Sequence, residues 1–128
     1  MNKNSSRFPS NAIILGLASL MMLVLTSNLA YGEGQICSGE QIKATLSGHE
    51  IKGIWEGKKY TQTFHEDGST IYKQENLSPM SGKWSIKENK YCSNWGSGER
   101  CYQRIVREGN RFYWLLPSGE RREFTIVK

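Results

Sequence analysis

A chain of 128 residues with 17 basic and 12 acidic side chains, a formal charge of +5 and a mean hydropathy of −0.56 can bury one modest core and is too short for two. The basic excess is spread along the chain rather than gathered on a Lys/Arg-rich helix, and no nucleic-acid-binding motif appears, so a nucleic-acid partner is not expected.

The first residues carry Lys3 and Arg7 with no acid, followed by the apolar run AIILGLASLMMLVLT at 12–26 and then by the small residues Ala30 and Gly32 around Tyr31. This is the layout of a secretory signal, with a run shorter than the roughly 20 residues of a membrane-spanning helix. Cleavage is placed after Gly32; the alternative is an uncleaved anchor, against which stands the absence of a strongly positive flank after the run. Residues 33–128 then form a single domain in the periplasm or outside the cell, with no membrane attachment once the signal is removed. Cys37 follows Gly34-Gln35-Ile36, which lacks the Leu and small residues that precede a lipid-modified cysteine. Removing 1–32 takes two basic and no acidic residues, leaving 15 against 12 in the following 96.

Residues 33–49 lead in to the domain. Ser38-Gly39-Glu40-Gln41 reads as a capping box that opens a short helix through Ile42 and Leu46 and ends at Gly48, a helix able to plug one end of a barrel. From residue 50 onward, segments rich in Tyr, Phe, Trp, Ile, Val and Thr alternate with turn pairs: Glu56-Gly57, Asp67-Gly68, Glu88-Asn89, Gly109-Asn110 and Ser118-Gly119. The strands fall near 50–55, 58–65, 69–74, 80–87, 90–95, 100–107, 111–116 and 121–127, with a longer Pro-containing loop at 75–79. Tyr60, Gln62 and Phe64 alternate with Thr61, Thr63 and His65, and Trp84 and Ile86 alternate with Lys83, Ser85 and Lys87, giving one apolar and one wet face. An open meander of eight strands would leave two edges exposed. The predicted fold class is therefore all-β: an antiparallel meander of about eight strands curled into an up-and-down barrel or half-barrel, preceded by a short helix.

Three cysteines leave one unpaired. If Gly96-Ser97 is a two-residue turn, residues 92 and 101 face each other across the hairpin, which predicts a Cys92–Cys101 disulfide. Cys37 is then a buried or tolerated thiol in a monomer, or the bridge of a dimer; nothing around it marks a reactive thiolate.

No catalytic residue and no metal ligand can be nominated. His49 and His65 match no metal spacing, His65-Glu66-Asp67 reads as a solvated turn, and neither a nucleophile elbow nor a phosphate-binding Gly loop is present. No cofactor is expected. The large rings, among them Trp55, Tyr72, Tyr91 and Trp95, are more than so small a core can bury, so some should line a cavity or a face. Arg100, Arg104, Arg107, Arg111, Arg121 and Arg122 crowd the last three strands among Tyr102, Tyr113 and Trp114. They suit either an anionic partner or pairing with Glu99, Glu108, Glu120 and Glu123. The residues assigned to a ligand site are Tyr60, Trp84, Tyr102, Arg104, Tyr113 and Trp114.

The order Tyr60-x-x-x-Phe64-x-x-Asp67-Gly68-Ser69, then Gly82-Lys83-Trp84-Ser85-Ile86, then Cys92 and Cys101-Tyr102, then Gly109 and Gly119, resembles a group of small exported bacterial proteins of unknown function with the pattern Y-x-x-x-F-x-x-D-G-T, G-x-W-x-I, C…C. The resemblance covers roughly residues 50–127, implies the meander and the disulfide, and carries over no functional residue. Gly82-x-Trp84 also resembles the motif of lipocalin-like and avidin-like barrels, where it sits on the first strand rather than mid-chain. The functional expectation is an exported, non-enzymatic module binding a small apolar or amphipathic ligand or an envelope component. The alternative is a protein-binding inhibitor or accessory subunit acting through exposed rings and arginines; an enzyme ranks third.

Overall fold

The computed structural model describes residues 34–128; the segment read as an export signal lies outside the described residues. Ten elements follow in order: β1 (Gln35–Ile36), α1 (Gly39–Leu46), β2 (His49–Trp55), β3 (Lys58–Phe64), β4 (Ser69–Gln74), β5 (Met80–Lys87), β6 (Lys90–Asn94), β7 (Glu99–Glu108), β8 (Arg111–Leu115) and β9 (Arg121–Ile126). From β2 to β9 each strand pairs antiparallel with the next, and β9 pairs back onto β2 through Ile51↔Ile126, Lys52↔Thr125 and Gly53↔Phe124. The eight strands thus form a closed up-and-down barrel, which removes the two free edges an open sheet would carry.

The ninth strand answers a mismatch in length. β7 has ten residues and β6 only five, so their pairing ends at Tyr91↔Gln103 and would leave the second half of β7 with an open edge. β1 fills it: Gln35 pairs with Arg107, Ile36 with Val106, and the Cys37 N–H donates to the Ile105 carbonyl at 2.8 Å. Val106 is accordingly buried although its neighbour Ile105 points into the barrel. No local signal marks a two-residue strand, and the sequence reading passes over it.

α1 starts where the capping box places it. Ser38 Oγ accepts the Gln41 N–H at 3.2 Å while Gln41 Oε1 accepts the Ser38 N–H at 2.8 Å. Asn89 in the β5–β6 turn takes the Gly39 N–H at 2.6 Å, tying the helix start to the barrel end. Ile42 and Leu46, one turn apart, are wholly buried with Ile51, Phe64 and Ile105, so the helix closes this end.

Strand alternation sets the interior. In β3, Tyr60, Gln62 and Phe64 are buried while Thr61 and Thr63 are only partly so. Glu56-Gly57 and Glu88-Asn89 have positive φ at both central residues, as two-residue hairpins with right-handed strand twist require. Asp67-Gly68 turns as expected within a longer loop, where Asp67 Oδ1 accepts both the N–H and the hydroxyl of Ser69 at 2.8 and 2.7 Å. The β6–β7 connection corrects the sequence reading. Instead of the two-residue turn Gly96-Ser97, strand pairing ends at Asn94↔Glu99 and a four-residue loop intervenes, with Asn94 Oδ1 accepting the Gly96 and Gly98 N–H groups. Both loops keep the same index sum, so Cys92 and Cys101 still meet and are joined by a disulfide of S–S 2.01 Å.

Candidate functional site

The connections at one barrel end are the β3–β4, β5–β6 and β7–β8 turns, and α1 covers that end. At the other end the β2–β3, β4–β5, β6–β7 and β8–β9 connections frame an opening into a pocket of about 390 Å³. An eight-stranded barrel is just wide enough for its side chains to fill it or to leave room for one small ligand, and here they fill the plugged half only.

The floor is made by Tyr60, Gln62, Tyr91 and Trp114. The buried Gln62 amide is held by two neighbours: its Nε2 donates to Thr70 Oγ1 at 3.0 Å and to the Tyr91 hydroxyl at 3.1 Å. Thr70 Oγ1 in turn donates to the Thr63 carbonyl at 2.8 Å, and Trp114 Nε1–H donates to the Tyr60 hydroxyl at 3.1 Å. Polar groups sequestered this deeply are costly unless paired, and paired they fix ring orientation. Burial pushes the phenols of Tyr60 and Tyr91 up to about 12, so both are neutral donors and acceptors at physiological pH.

The walls are aromatic. Tyr72 stacks on Tyr60 with ring centroids 5.3 Å apart, and Trp95 meets Tyr72 edge-on at 6.2 Å. Trp55 completes the wall where β2 and β9 stop pairing; Arg122 lies over its ring at 4.2 Å and donates from Nε to Glu120 at 2.8 Å. Seven of the fourteen lining residues are rings, and Arg100 is the single one with a formal charge. Met80 and Tyr102, 42% and 58% exposed, stand at the rim.

Of the six residues assigned from sequence, Tyr60, Tyr102 and Trp114 come together here, and Trp84, Arg104 and Tyr113 are not among the lining. Trp84 faces inward but toward the plugged end, where its Nε1–H donates to the His65 carbonyl at 3.0 Å and its ring meets Phe64 edge-on. Tyr113 alternates with the inward Trp114 and lies beneath Arg121, 5.8 Å from guanidinium to ring centroid. Arg104 pairs across from Leu115 on β7, between the inward Gln103 and Ile105. The other eleven lining residues were outside the assignment, among them Trp55, Gln62, Tyr72, Tyr91, Trp95 and Arg100. Hairpin register was the available signal: the loop at Asp67-Gly68 sets Tyr72 opposite Gln62, on the face that Tyr60 shares.

Arginine pairing is mostly settled among neighbours. Arg111 bonds Glu123 at 3.2 Å, Arg121 bonds Glu108 at 2.9 Å, and Arg107 donates to the Gly109 carbonyl at 2.9 Å, while Glu99 takes Lys87 rather than an arginine. Among the described residues one set of metal-type donors gathers, Cys92, Glu99 and Cys101, and its two sulfurs are already bonded to each other. Cys37 is buried in the core, and burial raises its thiol above the ordinary range against the lowering effect of Arg107.

Fold and pocket define a closed eight-stranded up-and-down barrel with one plugged and one open end. The chain matches no family model, no curated protein and no solved structure.

Proposed function

We propose that the protein is exported, is cleaved after Gly32, and serves in the periplasm or outside the cell as a non-enzymatic binding module for a small apolar or amphipathic ligand or an envelope component. The observation that carries this is the open, ring-lined pocket of about 390 Å³ in the unplugged half of the barrel. Its size lies in the range of small-molecule sites, and its make-up matches them: apolar and aromatic walls with a few fixed polar groups. The Cys92–Cys101 disulfide suits an oxidising compartment. His49 begins β2 and His65 opens the β3–β4 loop, both at the plugged end and outside the pocket lining. The test is native mass spectrometry of protein purified from the extracytoplasmic fraction. A chain beginning at Glu33 with an additional small-molecule mass is expected; an unprocessed chain would contradict export, and an empty chain that takes up no apolar probe would contradict the binding role.

A second reading, docking to another protein, is favoured by Ile54, Leu77 and Tyr102, which are 58%, 55% and 58% exposed on the open side. In the same spectra it would appear as a ligand-free chain bound to a protein partner.

A further inference from the structure

Resting on the reading of this pocket as a ligand site, we infer that its ligand is an amphipathic anion: a ring-bearing apolar body held among the aromatic walls, and a carboxylate, sulfonate or phosphate-type group held at the mouth by Arg100. No aspartate or glutamate lines the pocket, so the guanidinium stands there without a carboxylate to neutralise it. The nearest acid in sequence, Glu99, is engaged by Lys87 and the Ser85 hydroxyl. Arg111, Arg121 and Arg122 each bond a glutamate, whereas Arg100 forms no ion pair among the described residues. The surroundings reinforce the sign. Ser93 is the direct cross-strand partner of Arg100, and Ser93 and Gln103 both line the pocket, so a guanidinium, a hydroxyl and an amide lie on the β6–β7 side of a lining whose remainder is mostly aromatic and apolar. A planar guanidinium fork beside neutral donors matches an oxyanion in shape and charge, and the rings opposite it accept a flat apolar body.

Two fluorescent probes that share one body separate the terms: neutral N-phenylnaphthylamine and its sulfonate, anilinonaphthalene sulfonate. The wild-type protein binds the sulfonate more tightly than the neutral probe, and raising the salt concentration narrows that difference. Arg100→Gln lowers sulfonate affinity about threefold to tenfold and leaves the neutral probe unchanged. Arg100→Lys, which keeps the charge and loses the fork, retains part of the preference, and Arg104→Gln, outside the pocket lining, changes neither affinity. Sulfonate affinity that is equal in wild type and Arg100→Gln, with the neutral probe still bound, overturns the anionic ligand and leaves the pocket reading standing. Failure of both probes to bind the wild type overturns the pocket reading itself. Arg100 is exposed, and circular dichroism of each variant establishes that it is folded.

Discussion

Trp95 lies directly against Gly82: a methyl group at residue 82 would stand 2.5 Å from Trp95 Cε3 and 2.7 Å from the Asn94 carbonyl oxygen. Glycine therefore makes room for an indole that forms a pocket wall. Gly82→Ala is expected to cost about 1–3 kcal/mol by overpacking and to weaken apolar probe binding by displacing the ring. Urea unfolding and probe titration check this; an unchanged midpoint and unchanged affinity would show that Trp95 is free to move aside.

The plug is the second place where one residue decides much. Ile42 and Leu46 are completely buried. Ile42→Ala or Leu46→Ala is expected to lower unfolding free energy by about 2–5 kcal/mol, and Ser38→Ala by about 1 kcal/mol through loss of the cap. A Leu46→Ala midpoint equal to wild type would mean that the helix does not seal the barrel.

The cysteines should separate cleanly by chemistry. Replacing Cys92 and Cys101 together by alanine opens a loop of sequence separation 9 and is expected to cost about 2–3 kcal/mol. Cys37 is expected to resist alkylation in the folded protein and to label at once in denaturant, as a buried thiol with a raised pKa does. Rapid labelling under native conditions would place Cys37 outside the core.

Tyr60 and Tyr91 set an alkaline limit. Each phenol is raised from 10 to about 12 by burial, so the folded state holds its proton more tightly than the unfolded state does. Their contribution is full below pH 10 and is lost as the pH rises toward 12, by on the order of 2–3 kcal/mol for each phenol. Stability measured against pH should fall across that window, and Tyr91→Phe should flatten the fall while removing the hydrogen bond from Gln62. A profile that is level from pH 9 to 12 would contradict the burial of both groups.

Much of the fold is legible in the sequence because hairpin turns and strand alternation are local. The Ser38 cap, the φ-tolerant pairs at Glu56-Gly57 and Glu88-Asn89, and the 75–79 loop all stand where the pattern puts them. Closure of the barrel and the β1 edge strand depend on pairings between distant segments, β2 with β9 and β1 with β7, which no local pattern encodes. The site was half legible for the same reason. Alternation tells that Trp84 points inward but not that it lies at the plugged end, and it ranks Arg100 and Arg104 alike although only Arg100 lines the cavity. Depth along the barrel axis comes from register, and register from the whole sheet.

The claim that the unplugged half of the barrel is a ligand site is tested most directly by a two-dimensional proton–nitrogen NMR titration with N-phenylnaphthylamine, read at the four tryptophan indole N–H signals. Trp55, Trp95 and Trp114 line the pocket, and Trp84 is locked onto the His65 carbonyl at the other end. Saturable shifts of the first three and a still Trp84 signal are expected; no shift, or one as large at Trp84 as at the others, would show that the unplugged half of the barrel is not the ligand site.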